Sequence, residues 1–232
     1  MIVVGQPFRS EPLGLRLTAG RAEFLLTNAS AGDFAAPSEP QLAAITAECG
    51  IGPSHWAQDE QVHGANVTIV AGSGETAPFT QPADGQATAR SDVLCAVRTA
   101  DCLAVLLAGE NAVAAVHAGW RGLSGGVVAN GVEAIRALGA AATVAVIGPG
   151  ARGCCYEVGD EIIAAFSSYP SAFTSGRKLD LAAVAREQLT AAGVSTIYDC
   201  GICTICSPSD DFFSYRRDHG QTGRMLGAAW LS

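Results

Sequence analysis

VLCAVRTADCLAVLLAGENAVAAVHA, residues 93–118, contains three short apolar runs divided by polar turns. Runs of this length, bounded by turn-forming residues, are typical of buried strands. We therefore expect strands at Val93–Val97, Leu103–Leu107 and Ala112–Val116. In the hairpin formed by the last two, Cys102 opens one strand and His117 closes the next, with a turn near residues 109–111. Antiparallel pairing would bring both side chains to the same end of the sheet.

Around this stretch, apolar runs alternate with amphipathic segments. Apolar residues recur at three- and four-residue spacing in residues 124–138 and 179–192, which predicts helices there, and a third helix should start near Glu157. Further strands are expected at residues 143–147 and 195–198, with one or two more in residues 61–70, and residues 71–84 should form a surface loop. The pattern predicts an α/β mixture around several strands, in one domain covering residues 1–232.

The composition argues against several classes of function. A formal charge of −8 and a pI of about 4.9 disfavour nucleic acid as a partner, because most of the surface repels a phosphate backbone. No apolar run approaches the roughly 18 to 20 residues of a membrane-spanning helix, and no secretory signal is apparent at the start. We expect a soluble cytoplasmic protein with no membrane partner, whose eight cysteines stay reduced.

Two imidazoles and one thiol form a candidate metal site. His63, Cys102 and His117 suit a borderline-soft ion such as zinc, and three protein ligands leave a fourth position for water or substrate. Taken alone, each residue is more often structural, and free cysteine is among the most buried residue types. Each one, however, lies within two residues of a Gly, Asp or Arg at a strand end, where active-site loops begin.

A glycine-rich turn follows His117, with the sequence HAGWRGLSGG at residues 117–126. Backbone amides exposed at Gly122 and Gly125, a helix N-terminus and the Arg121 guanidinium together favour an anion, most simply phosphate. The alternative is a tight turn in which Arg121 forms a structural ion pair. Further along the chain, Arg216 could reach a phosphate or a ribose, and Arg217 could pair with Asp218.

Two carboxylates stand beside these motifs. Asp84 and Asp101 are candidates for proton transfer, or for accepting the second N–H of a metal-bound imidazole. We interpret Asp84 as a turn residue that caps its own backbone, and Asp101 as functional.

The remaining cysteines are interpreted as packing residues. Cys200, Cys203 and Cys206 repeat every three residues, but a closed zinc site needs four ligands and no fourth lies at a suitable spacing. Cys154 and Cys155 are adjacent, so their side chains should point in different directions, and we assign them no metal role.

Together these motifs resemble the YfiH-like family, also called laccase-domain proteins. The matching motifs are QVHG at 61–64, ADG at 83–85, TADC at 99–102, HAGWRG at 117–122, IGP at 147–149, CYEVG at 155–159, Cys203-Thr204, FSYRRD at 213–218 and TGR at 222–224. The resemblance runs in order from about residue 58 to the C-terminus. Relatives carry a different sequence at residues 17–30, so substrate contacts that they draw from this region are not carried over.

The resemblance implies a fold, a cofactor and an activity. The fold is of the α/β class (α+β type), a layered αββα domain with mixed sheets, similar to the catalytic domain of cytotoxic necrotizing factor. The family also implies zinc, or else copper, at His63, Cys102 and His117. The implied activities are phosphorolysis of adenosine, inosine, guanosine and methylthioadenosine, and hydrolytic deamination of adenosine. The partners are then a nucleoside and phosphate, and no particular oligomeric state is predicted.

In this hypothesis Cys102, Asp101 and Arg121 are the catalytic residues, and Arg121, Gly122, Gly125 and Arg216 bind phosphate or substrate. One alternative is a metal-free hydrolase in which His117 activates Cys102 to split an amide, as in a peptidoglycan precursor. Copper-dependent phenol oxidation is disfavoured, because laccase chemistry uses many histidines and the chain has four. A binding module with structural cysteines is a further alternative.

Overall fold

Two large mixed β-sheets pack face to face in the computed structural model, which describes residues 2–4, 7–76 and 81–232. The strands of the described residues are β1 (Ile2–Val4), β2 (Arg9–Glu11), β3 (Gly14–Ala19), β4 (Ala22–Thr27), β5 (Trp56–Ala57), β6 (Thr68–Val70), β7 (Gly85–Thr88), β8 (Leu94–Thr99), β9 (Leu103–Ala108), β10 (Val113–Ala118), β11 (Val144–Ile147), β12 (Phe173–Ser175), β13 (Lys178–Leu179), β14 (Thr196–Asp199) and β15 (Met225–Leu231). The α-helices are α1 (Glu39–Cys49), α2 (Trp120–Ser124), α3 (Val127–Ala137), α4 (Asp160–Ala165) and α5 (Leu181–Ala191). None of these helices is long and apolar enough to cross a membrane.

The first sheet has seven strands in the order β1-β14-β11-β9-β10-β7-β6. The predicted hairpin forms its centre, where β9 and β10 pair antiparallel with His117 opposite Ala104. Parallel pairs lie on both sides, β1 and β11 against β14, and β6 against β7. The hairpin prediction is confirmed: β9 is apolar along its whole length, β10 is apolar except for His117, and both strands are fully buried.

The second sheet has six strands in the order β2-β3-β4-β15-β8-β5. β8, the first apolar run of the central stretch, belongs to this sheet, so the chain crosses from one sheet to the other at residues 100–102. The C-terminal strand β15 lies between β4 and β8 and pairs antiparallel with both. A side chain at Gly227 would come within 2.4 Å of the Ala104 Cβ, so glycine is needed where the two sheets approach closely.

Three buried clusters fill the spaces between the layers. One lies between the sheets, where Phe24 and Val97 of the second sheet meet Leu106 and Val146 of the first. Another lies between the first sheet and helices α3 and α5, and a third lies on the outer face of the second sheet beneath α1. The order of layers is therefore helix, sheet, sheet, helix, as the family resemblance implied. The likeness to cytotoxic necrotizing factor stays a prediction.

Several element boundaries differ from the sequence expectation. The helix predicted over 124–138 is α3, which begins at Val127, because Gly126 adopts a left-handed conformation with φ of 84° and separates it from α2, whose last residue is Ser124. The helix expected near Glu157 begins at Asp160. Residues 61–70 contribute just the strand β6, since residues 61–64 are held as a loop. In the predicted loop at 71–84, residues 71–76 are mostly exposed, residues 77–80 lie outside the described residues, and Ala83 and Asp84 are buried.

Candidate active site

His63, Cys102 and His117 meet at the end of the sandwich where the chain crosses between the sheets. Cys102 directly precedes β9, His117 lies in β10, and His63 lies in the loop before β6. Their ligand atoms are all within 4.8 Å of one another, and the two imidazole rings cross at 82° with centroids 4.9 Å apart. His117 is buried, Cys102 is half-buried and His63 is exposed. The structure thus brings the three predicted ligands together.

The buried Asp84 carboxylate orients His117. The His117 Nδ1 donates to Asp84 Oδ1 at 2.7 Å, which leaves Nε2 as the nitrogen that can bind a metal. Burial works against the charge of this carboxylate, but hydrogen bonds from His117 and the Gly64 amide hold its pKa below its ordinary value. The interpretation of Asp84 as a turn residue capping its own backbone was wrong.

The same carboxylate fixes the loop that carries His63. Asp84 accepts the backbone N–H groups of Val62, His63 and Gly64 at 3.2, 2.9 and 2.6 Å. The Gln61 amide pairs with the backbone of Arg98, which ties the loop to β8. These bonds hold His63 at a φ of 59°, a left-handed conformation that few residues other than glycine adopt. The single buried carboxylate therefore positions both imidazoles.

Gly119 lies against Cys102 and His63, where there is no room for a side chain. A Cβ at this position would lie 2.8 Å from the Cys102 Sγ and 3.3 Å from the His63 Cδ2. The glycine of the HAGWRG motif is required by this close approach rather than by its own backbone conformation.

Without a metal, the site holds a thiolate and an imidazolium. Burial alone would raise the pKa of the Cys102 thiol, but the charge and hydrogen bonds of His117, with those of His63, lower it to about 6. Burial likewise opposes protonation of His117, yet the Cys102 thiolate and Asp84 raise its pKa to about 9. A thiolate is both a metal ligand and a nucleophile, so the electrostatics favour either chemistry.

A cavity of about 720 Å³ opens in front of the cluster. Its wall combines four guanidiniums with three aromatic rings: Arg98, Arg121, Arg216, Arg224, Trp120, Tyr156 and Tyr215. Three of the arginines lie over aromatic rings. The distance from the guanidinium carbon to the ring centre is 4.3 Å for Arg121 over Trp120, 5.0 Å for Arg216 over Tyr156, and 5.8 Å for Arg224 over Tyr215. The cavity is positive although the chain as a whole is acidic.

Asp101 lies at the sheet crossing and lines the same cavity, with a φ of 84°. Its Oδ1 accepts from the Thr204 hydroxyl at 2.6 Å and its Oδ2 accepts from the Arg216 backbone N–H at 2.6 Å. The Arg216 side chain is also anchored, because its Nη1 donates to the Glu157 carbonyl. Asp101 therefore positions the segment that carries Arg216.

The structure brings Arg121 and Arg216 to the cavity but not Gly122 or Gly125. α2 begins at Trp120, so both glycines belong to the helix and its end, where the Gly125 N–H donates to the Arg121 carbonyl. A Cβ at Gly122 would meet the Gly64 carbonyl at 2.9 Å, and one at Gly125 would meet Ala65 at 3.2 Å. These glycines let α2 pack on the loop behind His63, rather than exposing amides to an anion.

The structure also corrects the interpretation of the other cysteines. The sulfur atoms of Cys154, Cys155, Cys203 and Cys206 all lie within 4.8 Å of one another. Cys203 and Cys206 meet two sulfurs from a turn distant in sequence, and the adjacent Cys154 and Cys155 converge because they lie in a turn rather than a strand. Cys200 is buried apart from this group, near Arg152.

Sequence reasoning did not single out the aromatic wall or Arg98 and Arg224 as site residues. A signal was present in Trp120-Arg121 and Tyr215-Arg216, since an aromatic residue next to an arginine can supply both stacking and anion binding. Tyr156 reaches the cavity through the tertiary fold.

Residues 22–232 match the family described as multi-copper polyphenol oxidoreductase laccase. A relative named purine nucleoside phosphorylase from Streptomyces griseus is 39% identical over 191 residues, covering 78% of this chain and 76% of that protein. Another relative of this name, from Streptomyces coelicolor, is 36% identical over 94% of this chain and 99% of its own length.

The crystal structure of Bacillus licheniformis hypothetical protein YfiH has the same fold. It superposes with a TM-score of 0.86 at 27% identity, over 98% of this chain and all of that one. The resemblance to YfiH-like proteins that the motifs indicated is confirmed.

Proposed function

Because the chain belongs to the multi-copper polyphenol oxidoreductase laccase family, several of whose members are named purine nucleoside phosphorylases, we propose that it is a zinc-dependent purine nucleoside phosphorylase. Its substrates are adenosine, inosine, guanosine and methylthioadenosine, and it also deaminates adenosine. The observation that carries the proposal is the cavity, which combines aromatic faces, several guanidiniums and a three-ligand cluster.

The cavity suits both parts of the substrate pair. Aromatic faces stack on a purine, and guanidiniums bind phosphate through paired N–H donors. Among the described residues, neither Arg121 nor Arg216 forms a salt bridge with a carboxylate, so both keep N–H donors for an anion. Burial raises the pKa of Tyr156, so its hydroxyl stays protonated and can donate a hydrogen bond to the substrate.

Phosphorolysis exchanges one bond for another at the ribose C1′. An oxygen of phosphate forms a bond to C1′ while the bond from C1′ to the purine N9 breaks, and its electron pair leaves with the purine, which takes up a proton. Arg121 and Arg216 hold the phosphate against the sugar, and the aromatic wall orients the base. The products are ribose 1-phosphate and the free purine.

His63, Cys102 and His117 fit a metal, since the His117 tautomer is fixed by Asp84 and Cys102 is a thiolate. A zinc ion held there would supply a Lewis acid, with the capacity to activate water for the attack on C6 that releases ammonia from adenosine. Two imidazoles and a thiolate also suit copper, so the metal must be identified by analysis. Proton transfer by Asp101 stays a prediction beside its positioning of Arg216.

The test uses protein of known metal content with inosine or adenosine, with and without phosphate. Chromatography should show purine and ribose 1-phosphate in equal amounts when phosphate is present, and inosine formed from adenosine. Cys102→Ala should abolish both, whereas Cys49→Ala, on α1 outside the cavity, should keep them. Release of purine without phosphate, or full activity in Cys102→Ala, would contradict the proposal.

A second candidate function is supported by the contacts of His117, which lies between Cys102 and Asp84. A nucleophile, a base and a carboxylate that orients the base are therefore side by side in space. This is the arrangement of a cysteine amide hydrolase, with a peptidoglycan precursor as substrate. Metal-depleted protein that cleaves such an amide and forms a covalent adduct at Cys102 would favour it. Activity that needs the metal would favour the phosphorylase.

A further inference from the structure

Four cysteines from two separate turns converge outside the cavity. Cys154 and Cys155 lie in the turn at residues 153–155, and Cys203 and Cys206 lie in the turn at residues 203–206. All four thiols are free, and their sulfur atoms lie within 4.8 Å of one another. None of the four lines the cavity in front of His63.

Backbone hydrogen bonds build each turn around its sulfurs. The N–H groups of Cys155 and Tyr156 both donate to the Arg152 carbonyl, at 3.0 and 2.9 Å, which turns two adjacent side chains toward the same side. The Ser207 N–H donates to the Cys203 carbonyl at 3.1 Å and closes the second turn.

The segment that leads into the first turn is bonded to the second turn. The backbones of Gly150 and Cys203 form a bridge, and the Thr204 N–H donates to the Gly150 carbonyl at 3.1 Å. Packing does not account for the convergence, because Cys154 and Cys206 are exposed and gain little from burying their sulfurs. The arrangement instead presents four soft donors around one point.

We propose that Cys154, Cys155, Cys203 and Cys206 bind one Zn²⁺ as a closed structural site, separate from the cluster at His63, Cys102 and His117. Tetrahedral zinc with four sulfurs at about 2.3 Å places the sulfurs about 3.8 Å apart. The Cys154 and Cys206 sulfurs are 3.7 Å apart, and the remaining pairs need to move by an ångström or less. Binding replaces the protons of the thiols, which are released to solvent.

The site would hold the wall of the cavity in place. Cys155 directly precedes Tyr156, whose ring lines the cavity, and Cys203 directly precedes Thr204, whose hydroxyl binds Asp101. A zinc ion joining the two turns therefore stabilises two contacts of the cavity without touching the substrate. With all four positions taken by sulfur, it keeps none open for water or substrate.

Metal analysis of protein purified without added metal or chelator tests the proposal. Wild type should hold two zinc ions per chain by elemental analysis and native mass spectrometry. Cys203→Ser and Cys102→Ser should each hold one, and Cys49→Ser, which alters a cysteine outside both clusters, should hold two. Because Cys203 is buried, Cys206→Ser at an exposed position repeats the test where Cys203→Ser fails to fold.

Cobalt substitution assigns the ligands. Metal-free Cys102→Ser loaded with Co²⁺ should give the intense thiolate charge-transfer absorption of a four-sulfur site. The double variant Cys102→Ser/Cys206→Ser should lack this absorption. The proposal is overturned if wild type and Cys206→Ser hold equal amounts of zinc, if another metal occupies the site, or if freshly purified wild type carries a disulfide within the cluster and no second metal. None of these readings depends on phosphorolysis.

Discussion

The cluster at His63, Cys102 and His117 and the four-cysteine cluster both gather soft donors, but their surroundings differ. The first has three donors, faces a cavity of about 720 Å³, and has one imidazole bound to a buried carboxylate. The second has four donors from two turns and lies outside that cavity. The first leaves a position for reactants, whereas the second is complete without one.

The difference shows that the surroundings of a donor set indicate its role better than the donors do. Asp84 fixes the tautomer of His117 and the loop of His63, which is the support that reactive metal sites require. The four cysteines are supported by the turns that they join, which is what a structural site requires. We expect the two clusters to respond differently to the same kind of change.

The largest expected effect comes from removing one cysteine of each cluster: the first cluster should affect activity, and the second should affect stability. Cys102→Ala should lower kcat/KM for inosine phosphorolysis by more than about a hundredfold, since losing a ligand costs more than losing its hydrogen-bond partner. Cys206→Ala should keep most of the activity and lower the melting temperature by roughly 4 to 8 °C, the shift expected from about 2 kcal/mol in a chain of this size. Steady-state kinetics and thermal unfolding, with Cys49→Ala as control, test both. Equal inactivation by the two changes would break the comparison.

A smaller effect is expected from the carboxylate that supports the first cluster. Asp84→Asn should lower metal affinity and activity by about 10- to 100-fold, because the amide can neither match the charge nor accept as many hydrogen bonds. The four-cysteine cluster should keep its zinc. The measurement is the metal content of each protein after dialysis against increasing concentrations of a chelator. The matched control is Asp92→Asn, which changes an exposed carboxylate that pairs with Arg90. Loss of both metals in Asp84→Asn would indicate a general folding defect instead.

The sequence predicted the first cluster well because its ligands depend on local structure. Cys102 and His117 lie on one hairpin, and the apolar runs of that hairpin define its register. His63 was singled out by its residue type and its place in QVHG, but what holds it was not predicted, since that contact comes from Asp84 across the fold. Asp84 itself was misjudged because Ala83-Asp84-Gly85 has the composition of a turn, and nothing in the sequence reveals that it is buried.

The second cluster could not be predicted from spacing. Its ligands come from two turns far apart in sequence, and the bonds that join them are backbone contacts between Gly150 and residues 203–204. Reasoning from strand geometry made Cys154 and Cys155 diverge, whereas the turn closed on Arg152 makes them converge. At Gly122 and Gly125 the sequence reasoning predicted a site where the structure has packing. A glycine-rich loop was expected to bind an anion, and these residues instead form a helix and its end.

A further prediction concerns the space around the first cluster. Gly119→Ala should lower kcat/KM about tenfold, because its methyl group would lie 2.8 Å from the Cys102 Sγ and must displace a ligand. Gly159→Ala is the control, since a Cβ there meets nothing within 4 Å. Steady-state kinetics and metal content of both variants provide the measurement. Unchanged kinetics in Gly119→Ala would mean that the cluster is looser than its contacts indicate.

The smallest effect distinguishes the clusters in metal-free protein by thiol titration. Because His117 and His63 lower the pKa of Cys102 to about 6 against its burial, this thiol should be mostly thiolate at pH 7 and lose reactivity as the pH falls through 6. Hydrogen bonding to Cys155 and burial raise the pKa of Cys206 to about 11, so its reactivity should keep rising above pH 9.

Alkylation rates measured by peptide mass spectrometry between pH 5 and 10 should therefore give a plateau above about pH 7 for Cys102 and none for Cys206. The low pKa reduces intrinsic nucleophilicity, so at pH 7 Cys102 should exceed an ordinary thiol by roughly threefold. His117→Gln removes the main positive charge beside Cys102 and should move its midpoint upward. If that variant kept the midpoint near pH 6, a group other than the His117 imidazole would stabilise the thiolate. The contact between His117 and Cys102 would then not explain the reactivity of the first cluster.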